Sequence, residues 1–333
     1  MSSVTTYLPP GEGETVFTVS STPIKFGVGA LRELGADAQG LGMTRVALFV
    51  DDHVLGTEAG ADALASLRAA GLDAVVYDHV RCEPDSDSFA AAAAFVREGA
   101  FDGFVSLGGG SVIDTAKAAN LLSTWPDDLL AYINAPIGRA KPIPGKLKPH
   151  IACPTTCGTG SETTGITIVD LKSVGLKTGI ASPLLKPTLA LIDPRTTESL
   201  PGGVVAATGF DVLTHAVESY TARPYTSRPK PAHPSQRPPY QGSTPYNDIG
   251  SLHAIRLGGR YLARAVRDAG DTEARHQLMF ASTLAGLAFG SAGVHIPHAM
   301  SYSVATLKHE FSAAGYEDRD RMVPHGIAVV INA

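Results

Sequence analysis

The chain of 333 residues is 44% apolar and carries a formal net charge of −5, as expected for an ordinary globular protein of about two domains. Lysine and arginine are scattered, which argues against a nucleic-acid-binding face, and no apolar run is long enough to span a bilayer. Three cysteines do not make a disulfide framework, and the N-terminal stretch MSSVTTYLPPGEGE lacks a basic region followed by an apolar core. We therefore expect a cytoplasmic protein whose partners are small molecules.

The N-terminal half alternates strand-like and helix-like segments. Strand-like runs lie at Arg45 to Asp52, Ala74 to Val80, Phe101 to Leu107 and His150 to Thr156. Runs with helical spacing of apolar residues lie at Glu58 to Ala70, Ser86 to Glu98 and Ser111 to Leu122. Strands that alternate with helices predict a parallel sheet covered by helices on its faces.

After residue 200 the pattern changes to helices and loops. Helical periodicity is found at Val204 to Thr221, Asn247 to Val266 and Asp271 to Phe289. We therefore predict two domains, an α/β domain over residues 1–200 and an all-α domain over residues 201–333.

A proline-rich segment, RPYTSRPKPAHPSQRPPYQGSTPY, connects the first two of these helices. It carries Arg223, Arg228, Lys230 and Arg237 and no acidic residue. Proline removes backbone donors and fixes φ, so the composition predicts an ordered or partly ordered loop. Two interpretations remain open: a solvated surface loop, and a basic flap over a site for anionic substrates.

Two polar loops follow consecutive predicted strands. SLGGGSVIDTAK is a strand end, a glycine turn and a helix start, an arrangement that binds phosphate through free backbone N–H groups, although it does not match G-x-G-x-x-G. CPTTCGTGSETT concentrates hydroxyl groups and glycines at the same edge of the sheet. Together the loops favour a nucleotide site over ordinary turns. Asp51 and Asp52, at an earlier strand end, are suited to accept hydrogen bonds from a ribose.

Histidines gather in the helical half. GFDVLTHAVESY places Asp211 and His215 four residues apart, on one face of a helix. GVHIPHAMSY contributes His295 and His298, and VPHGIAVVIN contributes His325. One carboxylate with several imidazoles suits a divalent metal, whereas an isolated histidine near an apolar face is more often part of the core. Spacing alone does not show that these segments meet.

These motifs, together with LIDP, occur in the order and at the spacing of the iron-containing alcohol dehydrogenase family, which the chain resembles from Phe17 onward. The resemblance implies a Rossmann-like parallel sheet in an α/β N-terminal domain and an all-α C-terminal domain, the architecture shared with dehydroquinate synthase. GFDVLTHAVE and HAMSY favour the dehydrogenases over such a lyase. The family continues beyond the position of Ala333, so we expect a C-terminally truncated form of that fold.

The resemblance also assigns roles to particular positions. The implied metal ligands, for Fe²⁺ or alternatively Zn²⁺, are Asp211, His215, His298 and His325, and His295 becomes a structural residue. The implied NAD(H) contacts are Asp52, Gly109, Gly110, Ser111, Asp114, Thr155, Thr156, Thr159, Thr164 and Lys177. Asp52 should repel the 2′-phosphate of NADP. Tyr302 stands where many family members have a proton-relay histidine, and its hydroxyl is expected to move the proton.

VRCEPDSDSF, GSETTGITIVD and RPPYQGSTPYNDI resemble the transhydrogenase branch of the family. That branch implies metal-dependent hydride transfer from a hydroxy acid such as 4-hydroxybutyrate to an oxo acid such as 2-oxoglutarate, through nicotinamide that stays bound. Arginine clamps carboxylates, which strengthens the flap interpretation with Arg223, Arg228 or Arg237 as candidates. The resemblance also implies a homodimer. The alternatives are an NAD-dependent dehydrogenase with exchanging cofactor and an inactive truncated remnant.

Overall fold

A parallel sheet forms the N-terminal half of the protein. The structure is a computed structural model that describes residues 13–172, 174–306, 311–317 and 321–333; most of the N-terminal stretch tested above for a signal peptide lies outside them. The strands are β1 (Ile24–Phe26), β2 (Arg45–Val50), β3 (Asp73–Tyr77), β4 (Gly103–Gly108), β5 (His150–Pro154), β6 (Ile166–Leu171), β7 (Leu176–Ala181) and β8 (Leu189–Ile192). Six of them form one sheet in the order β1-β8-β5-β4-β2-β3, with every pair parallel.

The helices cover this sheet and then form a separate helical half. They are α1 (Leu34–Gly40), α2 (Asp52–Leu55), α3 (Glu58–Ala69), α4 (Ser86–Gly99), α5 (Gly110–Thr124), α6 (Leu129–Tyr132), α7 (Gly202–Thr221), α8 (Pro245–Arg267), α9 (Thr272–Ala292), α10 (Ile296–Thr306) and α11 (His325–Val330). The predicted α/β architecture followed by helices is confirmed.

The central strands are apolar on both faces because both faces are covered. In β2, Val46 and Leu48 pack with Leu67 of α3 on one side of the sheet. Ala47 and Phe49 pack with helices α4 and α5 on the other side. This alternation requires two helical layers, and burying each large apolar side chain stabilises the fold by roughly 1.5–3 kcal/mol.

Two strand features were not predicted from the sequence. β1 has only three residues and lies at the edge of the sheet beside β8. β6 and β7 form an antiparallel hairpin outside the main sheet. The hairpin is tied to α5 because Thr167 Oγ1 donates to the backbone oxygen of Asp114 at 2.9 Å.

The helical half is built around α7, α8 and α9, which share one apolar core. Val212 and Ala216 of α7, Ala254 of α8 and Leu278 of α9 belong to the same buried cluster. In the described part of the chain, no single helix is long and apolar enough to cross a membrane; α9 together with Ile296–Ala305 meets that test of length and composition, but this pair is bent by 104°.

Candidate active site and metal centre

A cleft of about 430 Å³ opens at the carboxyl ends of the central strands and reaches the helical half. β2 lies between β3 and β4 in the sheet. The chain connects β2 to β3 on one side and then crosses back to form β4 on the other side, so the strand order changes direction between β2 and β4. Open parallel sheets bind ligands in the crevice at this switch point. The loops after β2, β4 and β5 line one wall of the cleft, and Asp211 and His325 line the other.

The glycine turn after β4 brings backbone N–H groups to this cleft. Gly109 precedes α5 and provides no side-chain cap, so the first N–H groups of the helix have no partner from that side chain. A Cβ on Gly110 would lie 2.7 Å from Cγ2 of Thr159, and one on Gly109 would lie 3.2 Å from Cγ2 of Thr156. Glycine is therefore needed here because the threonine loop packs directly against the turn.

Six of the ten positions expected to contact NAD(H) line the cleft. They are Gly109, Gly110, Ser111, Thr155, Thr156 and Thr159. After β2, Asp51 lines the cleft, and its side chain accepts from the backbone N–H of Val54 at 3.0 Å. Asp52 is not among the lining residues, and its side chain is 76% exposed. The acidic residue after β2 that lines the cleft is therefore Asp51, one position before the one that the resemblance implies.

Asp114, Thr164 and Lys177 are not among the residues that line the cleft. The Asp114 carboxylate is buried and accepts from the Ser161 hydroxyl and from the backbone N–H of Ile168 at 2.8 Å. Thr164 is buried. The Lys177 ammonium is paired with Glu83, which does line the cleft. Asp114 therefore holds the loop in place, and Lys177 reaches the cleft only through its partner.

Three imidazoles surround one carboxylate oxygen opposite the glycine turn, and the four side chains come from three helices. Oδ1 of Asp211 lies 3.7 Å from Nδ1 of His215, 3.5 Å from Nε2 of His298 and 3.8 Å from Nε2 of His325. Asp211 and His215 come from α7, His298 from α10 and His325 from the first residue of α11. Asp211, His298 and His325 each offer one ligand atom within 4.8 Å of the others, which suits a single divalent cation, and His215 lies beside this group.

The polar atoms of this cluster lack the partners that burial normally requires. Among the described residues, Oδ1 of Asp211, Nδ1 of His215, Nε2 of His298 and Nδ1 of His325 are buried without a hydrogen bond. Leaving such atoms unpaired costs about 1–3 kcal/mol each. A cation at the centre of the cluster removes much of that cost, so the residues fit a divalent ion. The donor set suits iron and zinc alike.

Burial sets the charge state of these ligands. It lowers the pKa of His215 to about 3 and that of His325 to about 4, so both imidazoles are neutral at pH 7. Burial alone would raise the pKa of Asp211, but the three surrounding imidazoles outweigh it and hold that pKa well below its usual range. His298 differs: burial lowers its pKa, but the carboxylates of Asp211 and Glu218 outweigh burial and raise that pKa to about 9. Metal binding needs neutral imidazoles beside an ionised carboxylate, so His215 and His325 are ready to bind and His298 must release a proton.

Tyr302 lies on α10, one turn after His298, and is partly buried. Burial, with smaller contributions from the charges of Asp114 and Asp211, raises the pKa of its phenol to about 12. Its hydroxyl therefore keeps its proton at neutral pH.

The three candidate substrate arginines do not lie at this cleft. Arg237 donates to the buried Glu14 carboxylate at 2.9 Å, and Arg228 donates to the backbone oxygen of Gln241 at 2.9 Å. Arg223 is exposed, and none of the three lines the cleft. The proline-rich segment packs against the chain near Glu14, whose backbone N–H donates to the backbone oxygen of Arg228 at 2.8 Å. The structure supports a surface loop and not a basic flap.

Two residues near the site were missed by sequence reasoning. Glu83 has a φ of 56°, an uncommon value for a residue other than glycine, and its backbone N–H donates to the Ser111 hydroxyl at 3.1 Å. Glu218 contacts His298 from α7. Glu218 lies three residues after His215 on the same helix, and that helical spacing was the available signal.

The position of His325 depends on a glycine beside it, which gives a first prediction. A Cβ on Gly326 would lie 1.8 Å from the backbone oxygen of Ala207 and 3.1 Å from Cβ of Asp211. Gly326→Ala should push α11 from α7 and displace His325 by a large fraction of an ångström. We expect turnover to fall by about a hundredfold, with weaker metal binding.

Gly259→Ala on α8 is the matched control, since a Cβ there meets nothing within 4 Å. That variant should match or slightly exceed wild-type stability. Equal metal affinity and turnover in Gly326→Ala and Gly259→Ala would contradict the placement of His325.

Comparisons with known proteins agree with this geometry. A family profile described as iron-containing alcohol dehydrogenase matches residues 21–194, and one described as Fe-containing alcohol dehydrogenase family, C-terminal, matches residues 240–310. Hydroxyacid-oxoacid transhydrogenase, mitochondrial, of Bos taurus is 49% identical over 319 residues, covering 95% of this chain and 68% of that protein. The Homo sapiens protein of the same name is 46% identical with the same coverage.

Solved structures show the same fold. The chain superimposes on 1,3-propanediol oxidoreductase with a TM-score of 0.79 at 29% identity, covering 94% of this chain and 73% of the other. For sulfoacetaldehyde reductase from Bifidobacterium kashiwanohense in complex with NAD+, the TM-score is 0.77 at 28% identity, with 94% and 74% covered.

A nucleotide-type cleft that faces a carboxylate–imidazole cluster is the arrangement of a metal-dependent oxidoreductase. The chain belongs to the iron-containing alcohol dehydrogenase family and is an oxidoreductase that acts on CH–OH groups. Membership implies a divalent metal and NAD(H). The expected cytoplasmic location is wrong, because the relatives of Bos taurus, Rattus norvegicus and Mus musculus are named as mitochondrial proteins.

Proposed function

We propose that the protein is a hydroxyacid–oxoacid transhydrogenase that oxidises a hydroxy acid such as 4-hydroxybutyrate and reduces an oxo acid such as 2-oxoglutarate. The proposal rests on the observation that one cleft contains both elements: the glycine turn lines one wall, and Asp211 and His325 line the other. The two named relatives, which align with 95% of the chain, supply the substrate class.

The chain's own residues would hold NAD(H) and the divalent cation in place. The N–H groups at the start of α5 bind the pyrophosphate of NAD(H), and an acidic side chain after β2 binds its ribose. Asp211, His215, His298 and His325 hold the cation, which we propose to be Fe²⁺, with Zn²⁺ as the alternative. When bound, the ion supplies Lewis-acid polarisation of the substrate oxygen, and the nicotinamide accepts and returns the hydride.

The overall exchange neither consumes nor releases a proton. The hydroxy acid loses its hydroxyl proton in one half-reaction, and the oxo acid needs a proton on oxygen in the other. Tyr302 is suited to the second step because its pKa of about 12 keeps the phenol protonated. In the first half-reaction the phenol, which is already protonated, relays the hydroxy acid proton to water. In the second half-reaction it donates its proton to the oxo acid oxygen and regains one from water, which restores the starting state.

Tyr302→Phe tests this role. The substitution removes the hydroxyl and keeps the ring, so metal content should not change while turnover falls by about a hundredfold or more. Tyr246→Phe, at an exposed position at the start of α8, should leave turnover unaltered. Unchanged turnover in Tyr302→Phe would assign the proton to another carrier.

We also propose a homodimer formed through the edge of the sheet. β1 lies at that edge, and Ile24 and Phe26 remain more than a third exposed. Val28, which follows β1, is 67% exposed. Unpaired edge strands with apolar side chains favour association with another chain. Light scattering of the purified protein should give twice the mass of one chain, and a monomer at micromolar concentration would contradict this.

The proposed activity is tested by mixing the protein with 4-hydroxybutyrate and 2-oxoglutarate without added nucleotide, with and without a chelator. We expect turnover that follows ping-pong kinetics and stops when the metal is removed. Turnover that strictly follows added NAD(H) would instead identify a dehydrogenase with exchanging cofactor. Metal binding without turnover under either condition would identify an inactive remnant.

A further inference from the structure

One buried carboxylate beside the metal cluster has no role in the chemistry described so far. Glu218 is 1% exposed and lies on α7, three residues after His215 and seven after Asp211. These spacings place the three side chains along one face of the helix. Glu218 is not part of the group of ligand atoms that Asp211, His298 and His325 form.

Its two carboxylate oxygens accept from two different groups at the start of α10. Oε1 lies 2.6 Å from Nδ1 of His298, and Oε2 accepts from the backbone N–H of His295. The backbone oxygen of Glu218 lies 3.1 Å from Nε2 of His295. The C-terminal half of α7 thus forms hydrogen bonds both to the backbone at the start of α10 and to His298, the proposed metal ligand on α10.

This contact decides which nitrogen of His298 is available. A carboxylate at 2.6 Å from Nδ1 keeps the ring hydrogen on Nδ1, because an ionised carboxylate only accepts. When the ring is neutral, as a metal ligand must be, its lone pair is on Nε2, which lies 3.5 Å from Oδ1 of Asp211 and has no other partner among the described side chains. The ring is therefore held in the tautomer and orientation that a metal ligand requires.

We propose that Glu218 is a positioning residue of the metal centre, which fixes the tautomer of His298 and anchors the start of α10 through His295. The inference rests on the proposed function for the metal site, since it concerns how one of those ligands is held. It also gives His295 a role: this histidine binds no ion but is part of the anchor, with Nε2 within 3.1 Å of both the Glu218 backbone oxygen and the Thr221 hydroxyl.

Glu218→Gln is the informative variant because it preserves shape and breaks the chemistry in either orientation. If the amide oxygen faces His298, the amide NH₂ faces the N–H of His295, so two donors oppose each other and the anchor loosens. If the amide is flipped, its NH₂ donates to Nδ1 of His298, which moves the ring hydrogen to Nε2 and blocks the lone pair. Both arrangements weaken metal binding.

The experiment measures metal affinity by chelator competition. It also measures the His298 tautomer by ¹⁵N NMR of the metal-free protein at a pH above the His298 pKa of about 9, where the ring is neutral, with His298→Asn to assign the signal. We expect Glu218→Gln to bind metal about 10- to 100-fold more weakly than wild type and to lose the Nδ1–H signature. Glu198→Gln is the control, because Glu198 makes an equivalent 2.7 Å contact with His276 away from the cluster. That variant should leave both readouts unchanged.

The outcomes separate the inference from the function on which it rests. If wild type binds no metal, the proposed metal centre fails, whereas the NMR readout still reports whether Glu218 sets the tautomer. If wild type binds metal and Glu218→Gln binds it equally well with an Nδ1–H ring, the positioning role is overturned. Thermal unfolding of both variants, measured below saturation with metal, shows whether any loss reflects general destabilisation.

Discussion

Replacing His215 by Ala should strip the metal from an otherwise folded protein. The imidazole lies 3.7 Å from Asp211 Oδ1, and its ring stacks between His298 at 4.4 Å and Phe289 at 4.0 Å between centroids. Its removal deletes one of the four proposed ligands. We expect bound metal to fall from about one equivalent per chain to below about a tenth, as measured by elemental analysis after gel filtration.

Turnover should fall with the metal. Lewis-acid stabilisation of the transition state contributes several kcal/mol, so its loss corresponds to a rate reduction of at least about a hundredfold. His253→Ala, at an exposed histidine of α8, is the control and should retain both metal and activity. Stoichiometric metal in a folded His215→Ala protein would mean that this histidine is not a ligand.

Lys117→Met should produce the largest loss of stability among the variants considered. Lys117 is 1% exposed, and its ammonium donates to the Ser161 backbone oxygen at 2.7 Å, to the Ser161 hydroxyl at 2.8 Å and to the Ile166 backbone oxygen at 2.7 Å. It also lies 3.7 Å from the buried carboxylate of Asp114. Burial lowers the pKa of Lys117 to about 8, which still leaves it protonated at neutral pH.

Methionine fills the space but leaves that carboxylate and the carbonyl groups without their cation. Breaking a buried pair in this way costs about 3–5 kcal/mol in free energy of unfolding, which denaturant titration can measure. Lys141→Met, which removes a solvent-screened surface pair with Asp127 at 2.6 Å, should leave the free energy of unfolding nearly unchanged. Equal losses in the free energy of unfolding of the two variants would show that the buried network around Lys117 stabilises the fold no more than a surface pair does.

The loop that Lys117 holds connects stability to function. Ser161 and Ile166 belong to the segment that follows the cleft-lining Thr155, Thr156 and Thr159. A looser segment should weaken nucleotide binding as well as the fold.

The α/β architecture could be predicted from the sequence because the central strands and the helices that cover them have strong, regular apolar patterns. β4 and β5 are buried along their whole length, and such runs stand out between glycine and proline. β1 has three residues with one apolar face half exposed, and β6 alternates with threonine and acidic residues, so neither gave a comparable signal.

The metal cluster was only partly readable from local sequence. Asp211 and His215 share a helix, so their spacing defines a common face. His298 and His325 lie on other helices, and only the family resemblance connected them to the first pair. The prediction that arginines of the proline-rich segment face the cleft was not supported, because the sequence does not show against which part of the chain a loop packs. Arg237 pairs with Glu14, which is 223 positions away in the chain.

The central claim is that one cleft passes hydride between two carboxylate substrates without releasing the nucleotide. The direct measurement uses 4-hydroxybutyrate with deuterium on C4 and unlabelled 2-oxoglutarate, in the presence of excess unlabelled NADH, and locates the label by mass spectrometry. The account predicts deuterium on C2 of the resulting hydroxy acid, undiluted by the added NADH. A product without deuterium, or one diluted in proportion to the added NADH, would contradict it.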